Sequence, residues 1–389
     1  MRNLNFVDSF SKNRYLKEER KNYYSSKILK TIVEDNAIIL PVYQNFKYNT
    51  SKGSGGVITS NGKYIQISAQ LAYGMQNRVY GKYKIEKDID YINEEVVYLN
   101  YFYKHWGHFI IDIVSRMWYL LNRENKYKVV LTTYLNQDEK IDGQFLDFFT
   151  LFGIPKENII IVNKPTRFKK VIIPETSIYP GKYYTKEYKL IFDNVLKHTN
   201  LKAQVPSKIY LSRSNFSKAN IKEKGEKEIE QFFNDNGYIS IIPERLTLEE
   251  QIQYYYLSDE MVCLSGTLPH NLVFSKDNKK ILILNKTYKL NKHQELINQM
   301  KSADVTYIDV HSSLFPIAYG KGPFLLKINN NLKKFAKDRN YTLKYIPFYY
   351  LKNILKKIWY IVVYFKIYSK IYIDNDIDKC KLWRYYIFK

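Results

Sequence analysis

The 389-residue chain carries 61 Lys and Arg against 38 Asp and Glu, a formal net charge of +23, with 45% hydrophobic residues. That composition is too apolar for a disordered chain and too long for one core, and the only cysteines, Cys263 and Cys380, exclude a disulfide framework and a cysteine zinc cluster. No run approaches the roughly 18 apolar residues of a spanning helix, and the N-terminus lacks the apolar core of a signal peptide, so a cytoplasmic protein is expected.

The basic excess invites a nucleic-acid reading, with 38 Tyr and 21 Phe as stacking platforms for bases. Two observations argue against it. Lys, Asn, Ile, Tyr and Phe share A/T-rich codons, so their joint enrichment reflects gene composition as well as any partner. The charge is also uneven, because from Lys321 onward sixteen Lys and Arg stand against four Asp. No nucleic-acid partner is expected.

In chain order, residues 1–35 read as a polar, Lys/Asn-rich lead-in, helical or loose. Strand signals follow at 37–42, 56–59 and 64–67, with a Lys/Ser/Gly loop at 51–55. A strand at 96–99 runs into a helix through His108, and strands at 128–132, 159–162 and 170–174 accompany a helix at 144–152. Short apolar strands alternating with amphipathic helices predict a parallel sheet covered on both faces. A second run has strands at 208–211, 240–242, 261–264 and 280–284, with helices at 226–236 and 248–257 and another starting near Leu268. The pattern predicts an α/β chain of two Rossmann-like domains facing a cleft, over 1–200 and 201–320, followed by a basic aromatic tail over 321–389. In open α/β sheets ligands collect at the carboxyl ends of the strands, which directs attention to the loops there.

The stretch from His105 to Trp118 sets ionisable side chains into an apolar segment, where they are costly to bury without a purpose. At helical spacing His105, His108, Asp112, Ser115 and Arg116 share one stripe. A carboxylate four residues after a histidine can fix its tautomer and stabilise the imidazolium formed when His108 takes a proton. Asp112 acting as the base itself is the alternative, with His105 and Arg116 as acceptor contacts or supports. A core helix holding a satisfied histidine beside an ion pair gives the same spacing without chemistry.

Two further loops suit an anion. Ser265-Gly266-Thr267-Leu268-Pro269-His270-Asn271 follows a strand and leads into a helix, so backbone N–H groups, the Ser265 and Thr267 hydroxyls, His270 and Asn271 form a candidate pyrophosphate cradle, with Gly266 permitting close approach. Ser212-Arg213 ends a strand, and an arginine there can grip a phosphate bidentately. An ordinary turn and an exposed arginine remain the simpler accounts. Asp88-Ile89-Asp90 and Asp374-Asn375-Asp376 are too short as patterns and too embedded in charge to imply a metal, and none is expected. His-x-x-x-His, Walker and Gly-x-Ser-x-Gly motifs are absent. Past Tyr341, aromatic and aliphatic residues alternate with lysines, a pattern suited to an anionic membrane surface or to packing on the chain's own N-terminal domain.

The residues Gly107-His108-Phe109-Ile110-Ile111-Asp112 with Arg116-Met117-Trp118, Lys208-Ile209-Tyr210-Leu211-Ser212-Arg213, Gly225-Glu226-Lys227-Glu228-Ile229, Asn236-Gly237-Tyr238, and Gly266 with His270-Asn271-Leu272-Val273-Phe274 resemble glycosyltransferase family 61 in order and spacing over about 95–310. The chain departs from that family's His-Gly-Ala-Gly-Leu-Thr-Asn type of loop, keeping only Gly266 and Asn271, and from the arginine-rich run after Ser212-Arg213. The resemblance implies a GT-B fold, an inverting and metal-independent reaction, and a nucleotide-sugar donor, UDP-linked in expectation, with no further cofactor. The expected acceptor is a capsular polysaccharide or lipid-linked glycan, and the expected location is the inner face of the cell membrane, reached through the tail. The rival from another class is a non-catalytic nucleic-acid or polysaccharide-binding protein with a basic aromatic surface.

Overall fold

A strand at the very start of the chain, β1 (Arg2–Phe6), pairs in parallel with one about 300 residues later, Arg2 opposite Val305. The computed structural model describes residues 2–44, 53–69, 71–72, 76–77, 89–123, 126–216, 221–315, 317 and 322–374. They fall into two compact units, one of residues 1–21, 201–246 and 253–389, the other of 22–200 and 247–252. The supposed lead-in over 1–35 is therefore ordered: strand β1 and helix α1 (Ser9–Glu19) belong with the C-terminal half of the sequence, and its last residues, Thr31–Asp35, form a strand of the other unit.

The unit of residues 22–200 is built on β2 (Thr31–Asp35), β3 (Ile38–Gln44), β4 (Gly53–Ile58), β5 (Asp90–Tyr101), β6 (Lys128–Thr132), β7 (Ile159–Val162) and β8 (Thr166–Pro174). Their order is β4-β3-β8-β5-β6-β7, with β2 also on β8. Strands β5 to β8 run parallel, but β2 and β3 run antiparallel to β8, and β4 to β3. The sheet is thus mixed and not all-parallel as the pattern predicted. The connection at 45–52 is shorter than the dozen or so residues a parallel crossover needs. Central β5 carries a continuous buried run, Val96 to Leu99, because it is covered on both faces. Helix α2 (Gly143–Phe152) buries Phe145, Phe148, Phe149 and Phe152 at helical spacing and stops at left-handed Gly153. Helix α3 (Lys186–His198) lies beside it.

The other unit holds β9 (Lys208–Leu211), α4 (Glu226–Asn234), β10 (Ile239–Ile241), β11 (Glu260–Leu264), β12 (Lys280–Asn285), α5 (Lys292–Met300), β13 (Asp304–Asp309), α6 (Asn330–Asp338) and α7 (Tyr349–Asp374). Its six strands are all parallel in the order β1-β13-β12-β11-β9-β10. Read from residue 201 onward this is a doubly wound sheet whose winding reverses between β9 and β11, and such a reversal leaves a crevice at the strands' carboxyl ends. The tail is no appendage. Phe324–Leu325 pairs with Glu223–Lys224, and Leu332, Phe335 and Ala336 of α6 sit in the main core beside Tyr210 and Phe233. Gly225 makes that pairing possible, since at φ +104° a Cβ there would meet the Leu326 carbonyl at 2.0 Å. The helix expected from Leu268 is a seven-residue 3₁₀ turn, Leu268–Phe274, with little of the dipole a longer α-helix would carry.

Candidate active site

The loop leaving the carboxyl end of β5 enters an irregular helix: one α-turn at Trp106–His108, a π-turn at Phe109–Ile113, then a 3₁₀ stretch, Val114–Leu120. Such π-turns mark strain that is retained where a side chain must be aimed. His108 Nδ1 lies 2.8 Å from Asp112 Oδ2, and the Asp112 side chain is 3% exposed against 21% for His108. The carboxylate is therefore sheltered and the imidazole reachable. Asp112 is further fixed through its backbone, whose carbonyl accepts the Ser115 hydroxyl at 2.6 Å, while the Ser115 carbonyl accepts the Ser177 hydroxyl at 2.7 Å. Exposed His105 is the N-cap, its Nδ1 accepting the His108 N–H at 3.4 Å, and its ring lies 4.7 Å from that of His108, with Tyr103 5.2 Å away on the same imidazole.

Arg116 is wholly buried and donates to four carbonyls: Pro174 at 2.9 Å, Leu99 at 3.4 Å, Ile67 at 2.5 Å and Ala69 at 3.0 Å. Burial pushes its pKa down to about 10. It shares the sequence stripe of His108 but points inward, tying the site helix to the carboxyl ends of β5 and β8. Its place is that of a support and not of an acceptor contact.

In the other unit the loops after β9, β11 and β12 meet at the sheet's reversal. Glu223 Oε1 accepts from Lys286 Nζ at 2.6 Å and from Arg213 Nη1 at 3.5 Å. A Cβ on Gly266, at φ +140°, would sit in ordinary contact 3.6 Å from Lys286 Nζ and 3.9 Å from Arg213 Nη1, so this backbone lies directly beside both cations in a conformation that favours glycine. The Lys286 side chain is 12% exposed, and burial lowers its pKa while Glu223 raises it. The Lys286 backbone N–H donates to the Ser265 hydroxyl at 3.2 Å. Glu226 accepts the Arg213 backbone N–H at 2.9 Å, and burial pushes its carboxyl up to about 7. Ser212 Oγ and Ser214 Oγ lie 3.0 Å apart, and Thr267 is half-buried at the head of the 3₁₀ turn. This arrangement gathers Arg213 and Lys286 at strand tips around Glu223, so a phosphate there would compete with that carboxylate for the two cations.

His270 and Asn271 do not join that cluster. His270 Nδ1 lies 2.8 Å from Gln294 Oε1 on α5, and the chain continues through Asn298 to the Tyr307 hydroxyl. Asn271 Nδ2 donates to the Tyr255 hydroxyl at 3.2 Å. Both are buried, so the expected cradle shrinks to Ser265, Gly266 and Thr267, because the 3₁₀ turn points its later side chains into the unit's interior. Sequence reading passed over Lys286 and Glu223, and it quoted Glu226 for the family resemblance without giving it a role at the site. The signal for Lys286 was available, since it follows an apolar strand as Arg213 does.

Among the described residues one group could hold a metal ion: Asp8, Asp309 and His311, with ligand atoms within 4.8 Å of one another. Asp309 accepts the Asp8 backbone N–H at 2.9 Å and the Asn285 amide at 2.8 Å, and burial pushes its pKa up to about 7. Of the two Asp-x-Asp patterns, Asp88 and Asp376 lie outside the described residues.

Residues 106–282 match the family model described as Glycosyltransferase 61. The chain carries a glycosyltransferase 61 domain. That domain includes His108, Asp112, Arg213, Glu223, Glu226 and Gly266, with Lys286 four residues beyond its end. No curated protein matches the sequence. Among solved structures, the bacterial iron-containing dodecameric glycosyltransferase TibC from enterotoxigenic E. coli H10407 is similar over 68% of this chain and 79% of its own, at 9% identity and a TM-score of 0.27. A likeness so slight carries no argument.

Proposed function

We propose that this glycosyltransferase is an inverting, GT-B-type enzyme that uses no metal ion and moves a sugar from a nucleoside-diphosphate donor to a glycan or lipid-linked acceptor. The observation that carries the reading is the sheltered Asp112 carboxylate holding His108 by Nδ1 at 2.8 Å within the glycosyltransferase 61 domain. His108 Nε2 takes the acceptor hydroxyl proton as the oxygen attacks the anomeric carbon, the bond from that carbon to the donor's phosphate oxygen breaks, and Asp112 stabilises the imidazolium. The departing nucleoside diphosphate carries the negative charge away and is held by Arg213 and Lys286, which replace a divalent ion as electrostatic stabilisers. Asp112 is a less apt base, because it is buried and already committed to His108. The capsular or lipid-linked acceptor and the UDP moiety follow the family resemblance, and the reducing composition, two cysteines in 389 residues, suits the cytoplasmic face of a membrane.

The test is a panel of nucleotide sugars with released nucleoside diphosphate as readout, repeated in EDTA. Turnover of one donor that persists in EDTA and disappears in His108→Ala supports the reading. Turnover lost in EDTA and restored by manganese or magnesium overturns the metal-free mechanism, and absence of turnover with every donor and acceptor, in a folded chain, overturns the enzyme.

A further inference from the structure

Helix α7 buries one side and leaves the other bare. Tyr360, Tyr364 and Tyr368 are at most 5% exposed and lie with Ile317, Phe324 and Leu325 in a separate apolar cluster. The Lys356 ammonium adds an ion pair with Glu228 at 2.6 Å. On the opposite side Leu351, Leu355, Ile358, Val362 and Phe365 are 53–62% exposed. Spaced three or four residues apart, they form one stripe along about four turns. Just ahead of the helix, Tyr345 is 87% and Phe348 74% exposed. An apolar surface of this extent in water marks a contact surface.

The charges beside the stripe select the occupant. Apart from the paired Lys356, the helix exposes Lys352, Lys357 and Lys366, and its sequence holds no acid before Asp374. A second copy laid against the stripe would set lysines against lysines, and like charges across an apolar seam oppose pairing. Among the described residues no helix is long and apolar enough to cross a membrane. An apolar stripe flanked by lysines alone fits a surface that is apolar within and anionic at its boundary. We propose that this face of α7 lies flat on an anionic lipid bilayer, its aliphatic and aromatic residues at the headgroup boundary and its lysines on lipid phosphates. This inference concerns location and stands apart from the sugar-transfer reading.

The full chain is mixed with neutral phosphatidylcholine vesicles and with vesicles holding about 30 mol% phosphatidylglycerol, and bound protein is measured by flotation at low and high salt. A variant with Ile358→Glu and Val362→Glu changes only exposed side chains, and its melting temperature confirms an intact fold. The expected result is binding to anionic vesicles, weakened by salt, and a roughly 100-fold weaker partitioning of the variant. Equal binding by both chains, binding indifferent to lipid charge, or none by the full chain overturns the proposal. So does concentration-dependent self-association that the same two substitutions abolish while vesicle binding persists.

Discussion

The His108 pair and the Arg213–Lys286 cluster are both polar centres at strand tips, yet they are assembled over different ranges. His108 and Asp112 are four residues apart, so one turn of helix suffices to bring them together. Arg213, Gly266 and Lys286 follow β9, β11 and β12 and meet through the parallel register of those strands, and Glu223 joins them from the pair it forms with Phe324. A centre built by local spacing can be read from the sequence and is hard to disturb at a distance. One built by register is invisible in the sequence and exposed to any change in the sheet beneath it.

The sharpest test of this contrast is His108→Ala, which should lower kcat by about 10²- to 10⁴-fold while leaving nucleoside-diphosphate affinity unchanged. Isothermal titration beside steady-state kinetics reads both, and a matching loss of affinity would dissolve the division between the two centres. Next is Arg116→Met, which removes the donor to four carbonyls, three of those bonds buried, and should cost roughly 3–5 kcal/mol in urea unfolding. A loss below about 1 kcal/mol would mean the site helix is held by other contacts.

In the register-built centre, Lys286→Met should weaken nucleoside-diphosphate binding by about tenfold or more, because a charged hydrogen-bond donor is removed. Glu223→Gln should act in the opposite direction, since the carboxylate between the two cations competes with a phosphate for them. If both substitutions shift affinity in the same direction, Glu223 is a brace and not a competitor. A pH-dependent effect on stability, and not on affinity, is expected of Glu226. Its carboxyl is raised from 4.5 to about 7 on folding, so the stability this group contributes is present below about pH 4.5 and is lost as pH rises through about 7. Over that window the loss is up to about 3 kcal/mol, and Glu226→Gln should flatten the fall in urea midpoint between pH 5 and pH 8. An unchanged slope would place the titrating group elsewhere, with Asp309 the next candidate.

What was legible in the sequence follows the same divide. Strands such as Lys128–Thr132 and Lys208–Leu211 and helix Gly143–Phe152 stand out because their apolar period is strong over one short window. The direction of β2, β3 and β4 and the transfer of residues 1–21 to the other unit were not legible, since pairing partners lie far off in the chain. Arg116 shows the limit of a helical stripe. The π-turn between Phe109 and Ile113 alters the angular step, so Arg116 leaves the face on which the spacing put it beside His108. His270 and Asn271 were misplaced for a related reason, because a 3₁₀ turn distributes side chains with period three.

Strand β1 carries a consequence for how the chain is made. At a synthesis rate of about 5–20 residues per second, Asn3 leaves the ribosome roughly 15–60 s before its partner Thr306 exists. Throughout that interval Leu4 and Phe6, both buried in the finished sheet, have no strand to lie against, whereas the unit of residues 22–200 and 247–252 is complete in sequence before residue 306 is made. The edge of the second sheet is therefore closed last, by a segment that has waited longest, and chaperone binding to the nascent N-terminus should peak before residue 306 emerges and fall after it.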